Sequence, residues 1–301
     1  MKFSIAEESH VGRRPSNQDR LGHWRTEAAL LLVVADGMGG HANGDYAAEL
    51  AVRYAAALFR REATPRLADP AGFLRAACLG AHVALLQEEQ ALGLADTPRT
   101  TVVAGVVQDG WVHWAHVGDS RLYLLRGGEV QARTVDHTLA QELVDAGWLP
   151  AAEIRGHPDR NRLLQCLGGL DTPRVDAVGL ARLETNDVLL LCTDGLWEPV
   201  LDRQLAAGLD KRPLGPALAG LARLARERAG AECDNVSALA LTWDEPTADA
   251  RGVDPGPRLV PIEDAEAPAT PDPDILRAML ADPDSDLARM RRTLPDPQEA
   301  P

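Results

Sequence analysis

Residues 100–133, TTVVAGVVQDGWVHWAHVGDSRLYLLRGGEVQAR, set the architecture. Thr100–Val107 is β-branched and apolar, and Asp109-Gly110 behind it is a strong two-residue hairpin turn. Trp111–Val117 follows as a strand. Gly118-Asp119-Ser120 turns the chain into Arg121–Leu125, and Gly127-Gly128 turns it again into Glu129–Arg133. Four short strands joined by tight turns predict an antiparallel meander. Upstream, Phe3–Ser9 alternates weakly, as an edge strand does, and Ala28–Ala35 is a continuous apolar run ending on Asp36-Gly37. That is the pattern of a buried strand stopped by a turn. Ala47, Leu50, Ala51, Tyr54 and Leu58 then share one helical face, and Leu74, Ala77, Cys78, Ala81 and Leu85 repeat the spacing within a second helix over Pro70–Leu92. Downstream, Val188–Cys192 is a buried strand ending on Asp194-Gly195. Leu214, Leu218, Leu221 and Ala225 mark a helix, and Val236–Leu241 closes the series as a strand. This order predicts an α+β chain of antiparallel sheets with helices on the outer faces, with no βαβ alternation.

The chain has 301 residues and a formal net charge of −14. Residues 245–301 hold 11 of the 21 prolines and half of that charge. Residues 1–244 are therefore expected to form one domain, long enough to bury a substantial core. Residues 245–301 read as an extended Pro- and acid-rich tail, with a short helix at 274–294 where Ile275, Leu276, Met279 and Leu280 share a face and Pro283 interrupts. The acidic balance and the lack of a long basic run speak against nucleic acid. Met1–His10 has no apolar stretch of the signal-peptide kind, and the longest apolar run falls far short of the roughly 20 residues of a membrane span. Cys78, Cys166, Cys192 and Cys233 form no C-x-x-C pair, so neither a zinc ribbon nor a redox motif is supported. Free thiols predict a cytoplasmic location. Without a long heptad pattern, a monomer is expected.

The informative residues are acids at strand ends. Asp36 ends one apolar run, Asp194 ends another, and Asp119 sits in a turn. Asp234 precedes the last strand, and Asp19 precedes an early one around Leu21–Trp24. In antiparallel sheets one strand's end lies beside the next strand's beginning, so these carboxylates can converge on one edge. Each alone is equally a turn former. Gathered together they repel unless a cation sits among them, and an all-oxygen set suits Mg²⁺ or Mn²⁺ better than zinc.

Five segments in order resemble the metal-dependent serine/threonine protein phosphatases of the PPM, or type 2C, class in its bacterial form. They are Arg14-Pro15-Ser16-Asn17-Gln18-Asp19, Ala35–His41, Val117–Arg121, Thr193–Trp197 and Asp234–Ser237. Asp136-His137-Thr138 and His157–Asn161 are softer matches, and the resemblance spans about residues 3–243. It implies a four-layer α-β-β-α sandwich with the metal centre at one edge between two antiparallel sheets. It also implies that Asp36 bridges two Mn²⁺ or Mg²⁺ ions with the Gly37 carbonyl completing one shell. Asp194 and Asp234 would hold the other ion, and Asp119 would share a third, weaker position with Asp194. Gln18, Asp19 and Asn235 would stand one layer behind, and Arg14 would grip the substrate phosphate. The implied reaction is attack of a metal-bridged hydroxide on phosphoserine or phosphothreonine, without a phosphoenzyme. The implied partners are phosphoproteins and a bacterial serine/threonine kinase that the enzyme opposes.

Departures from the pattern matter. Gln18 stands where the family usually has glutamate, and Met38 where many eukaryotic members have histidine; His41 is then a candidate acid. Arg99-Thr100-Thr101 replaces Gly-Thr-Thr, and Leu139–Arg162 lies where the family carries a flap. Trp148, Trp197 and Trp243 are expected to pack rather than bind. The alternative reading, resting on Gln18, is a catalytically weak phosphoprotein-binding module of the same fold.

Overall fold

The structure, a computed structural model, describes residues 1–38, 43–94, 97–175, 177–211, 213–245, 256–261, 273–281 and 286–292. It opens with β1 (Phe3–His10), β2 (Asp19–Arg25), β3 (Ala29–Met38), α1 (Gly44–Glu62) and α2 (Pro70–Leu92). Next come β4 (Arg99–Thr100), β5 (Val102–Gln108), β6 (Trp111–Val117), β7 (Arg121–Arg126) and β8 (Glu129–Arg133). After α3 (Leu139–Asp145) and a 3₁₀ turn over Ala151–Gly156 come β9 (Ala177–Arg182), β10 (Val188–Cys192), α4 (Asp194–Trp197), α5 (Asp202–Leu209), α6 (Leu214–Ala229) and β11 (Val236–Trp243). The last elements are β12 (Arg258–Pro261), α7 (Pro273–Ala281) and α8 (Asp286–Arg292).

Two antiparallel sheets result, one ordered β1-β11-β10-β7-β8 and the other β12-β9-β6-β5-β3-β2, with β4 paired to the end of β3. Period-two alternation sorts their side chains into layers. Leu30, Leu32 and Val34 of β3 meet Leu189 and Leu191 of β10 and Leu239 and Leu241 of β11 between the sheets. Leu31, Val33 and Ala35 face the opposite way, onto α1 and α2. Leu190 and Cys192 likewise turn from the middle layer onto the α5 and α6 side. Because β3, β5 and β10 are covered on both faces, their residues are buried throughout or nearly so, as their continuous apolar runs require. The α-β-β-α sandwich is the outcome.

The meander expected over residues 100–133 is instead two hairpins in two sheets. β5 pairs with β6, and β7 with β8, but β6 continues to β9 and β7 to β10. Gly118-Asp119-Ser120 carries the chain from one sheet to the other, with φ +103° at Gly118. Local turn chemistry signals a reversal, not the partner that the next strand finds. Nor does Asp36-Gly37 end its strand: Gly37 and Met38 pair with Thr100 and Arg99. A β-carbon at Gly37 would lie 2.0 Å from the Gly44 carbonyl oxygen. Glycine there admits the first turn of α1 against the strand rather than bending it. Trp197 and Trp243 are buried as expected, whereas Trp148 is 79% exposed.

The acidic tail also departs from an extended linker. β12 pairs with β9, and two helices stand where one was expected. Ile275, Leu276 and Leu287 join the core beside α1 and α2, which a tail composition averaged over 57 residues conceals. Arg291 of α8 makes a 2.8 Å ion pair with Glu88, only 3% exposed, and the Tyr46 hydroxyl donates to the same carboxylate. Among the described residues no helix is long and apolar enough to cross a membrane. Arg291→Met is expected to leave Glu88 buried without its cation and to lower stability by about 1–3 kcal/mol, read as a fall in thermal midpoint. Glu88→Gln in the same chain should recover most of that loss.

Candidate active site

The inner rows of the two sheets turn from apolar to polar at one common end. Leu30, Leu32 and Val34 are followed at the same parity by Asp36. Leu189 and Leu191 lead to Thr193; Leu241 and Leu239 lead back to Ser237 and Asn235; Val103 leads back to Thr101, and Leu122 to Ser120. The middle layer therefore closes in a polar cluster beneath a cleft of about 570 Å³. That cleft is lined by Arg14, Gln18, Asp36, Gly37, Asp119, Asp194, Asp234 and Asn235 among others. Asp19 lies under its floor, 2% exposed. Of the residues expected at the site, His41 lies outside the described residues.

Hydroxyl and amide groups fix the acids. Asp36 donates its N–H to Thr101 Oγ1 at 3.1 Å, and its carbonyl accepts from the Thr100 hydroxyl at 2.8 Å and the Thr101 N–H at 2.8 Å. Thr101 Oγ1 lies 2.7 Å from Ser120 Oγ, which ties β5 to the Asp119 turn. Thr193 donates its hydroxyl to Asp19 Oδ2 at 2.9 Å, linking one sheet to the other. Asn235 secures the loop that carries Arg14: its amide donates to the carbonyls of Val11 and Ser16 at 2.9 and 3.0 Å, and its Oδ1 accepts from Gln18 N–H at 2.8 Å. Gly195 must stay small, because a β-carbon there would lie 1.9 Å from the Asn235 carbonyl oxygen. Trp197 donates its indole N–H to the Asp119 carbonyl at 3.0 Å. Asn235 stands behind the acids as the resemblance implies, whereas the supporting roles of Thr100, Thr101, Ser120 and Thr193 are not among the sequence expectations. Their signal was a polar residue at the next inner position of each apolar row.

Without a cation the acids strain against one another. Burial, then the charges of Asp19, Asp194, Asp119 and Asp234, raises the pKa of Asp36 well above the ordinary carboxylate range. Asp194 is raised likewise by burial, then by Asp119 and Asp234. Burial and the charge of Asp136 lift Asp119 to about 7, and burial lifts Asp19 to about 6 against the opposing Thr193 hydrogen bond. Asp19 Oδ1 and Asp194 Oδ1 are buried and accept no hydrogen bond among the described residues. An oxygen-only donor set with unsatisfied buried lone pairs fits a hard divalent cation.

Asp234, also in the cleft lining, is engaged by Arg14. Arg14 Nε and Nη2 donate to its two oxygens at 2.7 and 2.6 Å, a bidentate pair. The expected phosphate clamp and the expected metal ligand are thus each other's partners. Among the described residues no three His, Cys, Asp or Glu side chains close around one point as a finished cation cage.

The raised carboxyls also fix the pH dependence of the metal-free fold. A carboxyl with a higher pKa folded than unfolded binds protons more readily in the fold, so stability is full near pH 4 and falls as pH rises through about 6 to 7. In chelator, the thermal midpoint is expected to fall between about pH 4 and 7. Asp119→Asn should flatten that slope; an unchanged slope would remove Asp119 as its source.

The protein phosphatase 2C family model matches residues 7–232. Protein phosphatase PhpP of Streptococcus pneumoniae is 31% identical over 243 residues, covering 79% of this chain and 96% of PhpP. The crystal structure of the Mycobacterium tuberculosis serine/threonine phosphatase PstP/Ppp superposes with TM-score 0.71 at 30% identity, covering 81% of this chain and 99% of that one. The PstP catalytic domain in complex with two manganese ions superposes with TM-score 0.68 at 29% identity, covering 81% and 99%. With five motifs in order, the two-sheet sandwich and the carboxylate-lined cleft already in place, the chain belongs to the metal-dependent protein phosphatase 2C family and is a serine/threonine protein phosphatase.

Proposed function

We propose that this phosphatase cleaves phosphoserine and phosphothreonine esters of proteins at a dinuclear Mn²⁺ or Mg²⁺ centre. Asp36, the Gly37 carbonyl, Asp194 and Asp234 would hold the two ions, with Asp119 and Asp194 offering a third, weaker position. The observation that carries this reading is the convergence of those residues on one cleft, where the buried Oδ1 atoms of Asp19 and Asp194 accept no hydrogen bond among the described residues. Two divalent ions so held would clamp the phosphate ester and lower the pKa of a shared water to near neutrality.

The chain's own groups do the rest. Asp234 would help hold a cation, and the planar guanidinium fork of Arg14 would meet two phosphate oxygens, a geometry lysine lacks. Thr100 and Thr101 hold the Asp36 backbone, so its carboxylate meets its ligand without reorganisation. Asp19, held by Thr193, stands behind the cluster. Among the described residues no cysteine lines the cleft, in keeping with direct hydrolysis rather than a phosphocysteine. The natural partners on this reading are phosphoproteins of a bacterial serine/threonine kinase, met in the cytoplasm by a monomer whose catalytic unit is residues 1–244.

Hydrolysis of p-nitrophenyl phosphate should require Mn²⁺ or Mg²⁺, stop on chelation and return when metal is restored. Asp194→Asn is expected to lower kcat by about a thousandfold or more. Arg14→Lys should raise KM more than it lowers kcat, as loss of the bidentate fork demands. Turnover that survives both chelation and Asp194→Asn would refute the dinuclear mechanism.

A further inference from the structure

A second cavity of about 650 Å³ opens beside the metal cleft, between the 3₁₀ turn at Ala151–Gly156 and the start of α5. Five guanidinium groups line it against three carboxylates, an excess of two positive charges in a chain whose net charge is −14. Two of the five are neutralised on the spot. Arg121 forms a buried bidentate pair with Asp136 at 2.7 and 2.6 Å, and Arg160 pairs with Glu198 at 2.6 Å.

The surplus is Arg133, Arg155 and Arg203: Arg133 and Arg155 share Asp202 with Arg121, which lies 3.7 Å from it, and Arg133 also comes within 3.9 Å of Asp136. Arg133 and Arg155 approach Asp202 only to 3.5 and 3.9 Å. Arg155 instead spends its donors on neutral main-chain carbonyls, Glu198 at 2.9 Å and Trp197 at 3.2 Å. These bonds fix its position and leave the distant Asp202 as its one carboxylate partner among the described residues. Arg203 is exposed, and no ion pair or side-chain hydrogen bond is made by it among the described residues. Two guanidiniums sharing one acid beside an exposed third favour an added anion, and a basic island on an acidic molecule focuses the field that attracts one.

The island shares a wall with the metal cleft. Arg160 lines the cavity and its neighbour Asn161 lines the cleft. Trp197 forms part of the cavity beneath Arg121, 3.4 Å from the ring centroid, while its indole N–H holds the carbonyl of Asp119 in the cleft. We propose that this cavity is a second anion site, which receives an acidic or phosphorylated side chain of the substrate protein while the scissile phosphoresidue occupies the metal cleft. The inference rests on the phosphatase reading of that cleft and adds to it a rule for choosing substrates.

The test uses the full chain with Mn²⁺ and phosphothreonine peptides. One series has neutral flanks. Another moves a single glutamate, and a third a second phosphothreonine, about two to six residues to either side of the target. In wild type the best-placed anion should improve kcat/KM by about tenfold, through KM, and tighten the peptide Kd measured by fluorescence anisotropy to a similar degree. Arg155→Gln with Arg203→Gln should erase both gains. The exposed single variant Arg203→Glu should turn the preference against acidic flanks. A gain from glutamate and phosphate alike assigns the site to acidity in general, and a gain from phosphate alone assigns it to a second phosphoresidue. Equal Kd and kcat/KM for neutral and anionic flanks in wild type, or a preference unchanged in the variants, would overturn the proposal. Absent turnover with the flank preference in Kd intact would instead count against the catalytic reading of the cleft.

Discussion

Like charges withdrawn from water are the constraint on which this molecule turns. Four aspartates face one cleft and a fifth lies beneath it, and the charges of Asp19, Asp119, Asp194 and Asp234 all raise the proton affinity of Asp36. Nothing in the hydrophobic core asks for them. They stand where the inner rows of both sheets run out of apolar partners, so one alternation builds the middle layer and delivers the acids. The cost of gathering them is met by the rest of the fold: sixteen buried apolar side chains between the sheets, among the described residues, and two helical layers outside.

Rigid positioning comes from uncharged groups. Thr100, Thr101, Ser120, Thr193 and Asn235 spend their hydrogen bonds on backbone amides, carbonyls and each other, or on the carboxylate of Asp19. Neutral supports add no charge to a crowded site, and most bridge elements far apart in the chain. Arg14 is the exception. Its bidentate hold on Asp234 compensates one carboxylate in the metal-free molecule, and it is the same geometry that grips a phosphate.

Much of this was legible in the chain. The helix expected over Pro70–Leu92 has those bounds in the structure, because Asp69 caps its start and Gly93 its end. Apolar runs located β3 and β10, and the acids at their ends located the cleft. What escaped was non-local. Nothing within residues 100–133 says that the chain changes sheets at Gly118, since both hairpins obey the same turn chemistry. Thr193 and Ser237 look like ordinary strand residues until the register of β10 and β11 sets them beside Asp19. The docked helices α7 and α8 hid within a tail whose overall proline and acid content argued for solvent. The basic cavity was invisible too, because its arginines come from β7, β8, the 3₁₀ turn and α5, each unremarkable in its own segment.

The flap region thereby gains a physical role. Its 3₁₀ turn is anchored through Arg155 to the end of α4, whose first residue is Asp194, so a group bound beside the turn lies within one short helix of the cation site. Calorimetric titration of the metal-free chain with Mn²⁺ tests the foundation most directly. The account predicts two ions bound per chain, protons released at pH 6 to 7 as the raised carboxyls ionise, and loss of that binding in Asp36→Asn. No binding, or an unchanged isotherm in Asp36→Asn, would contradict it.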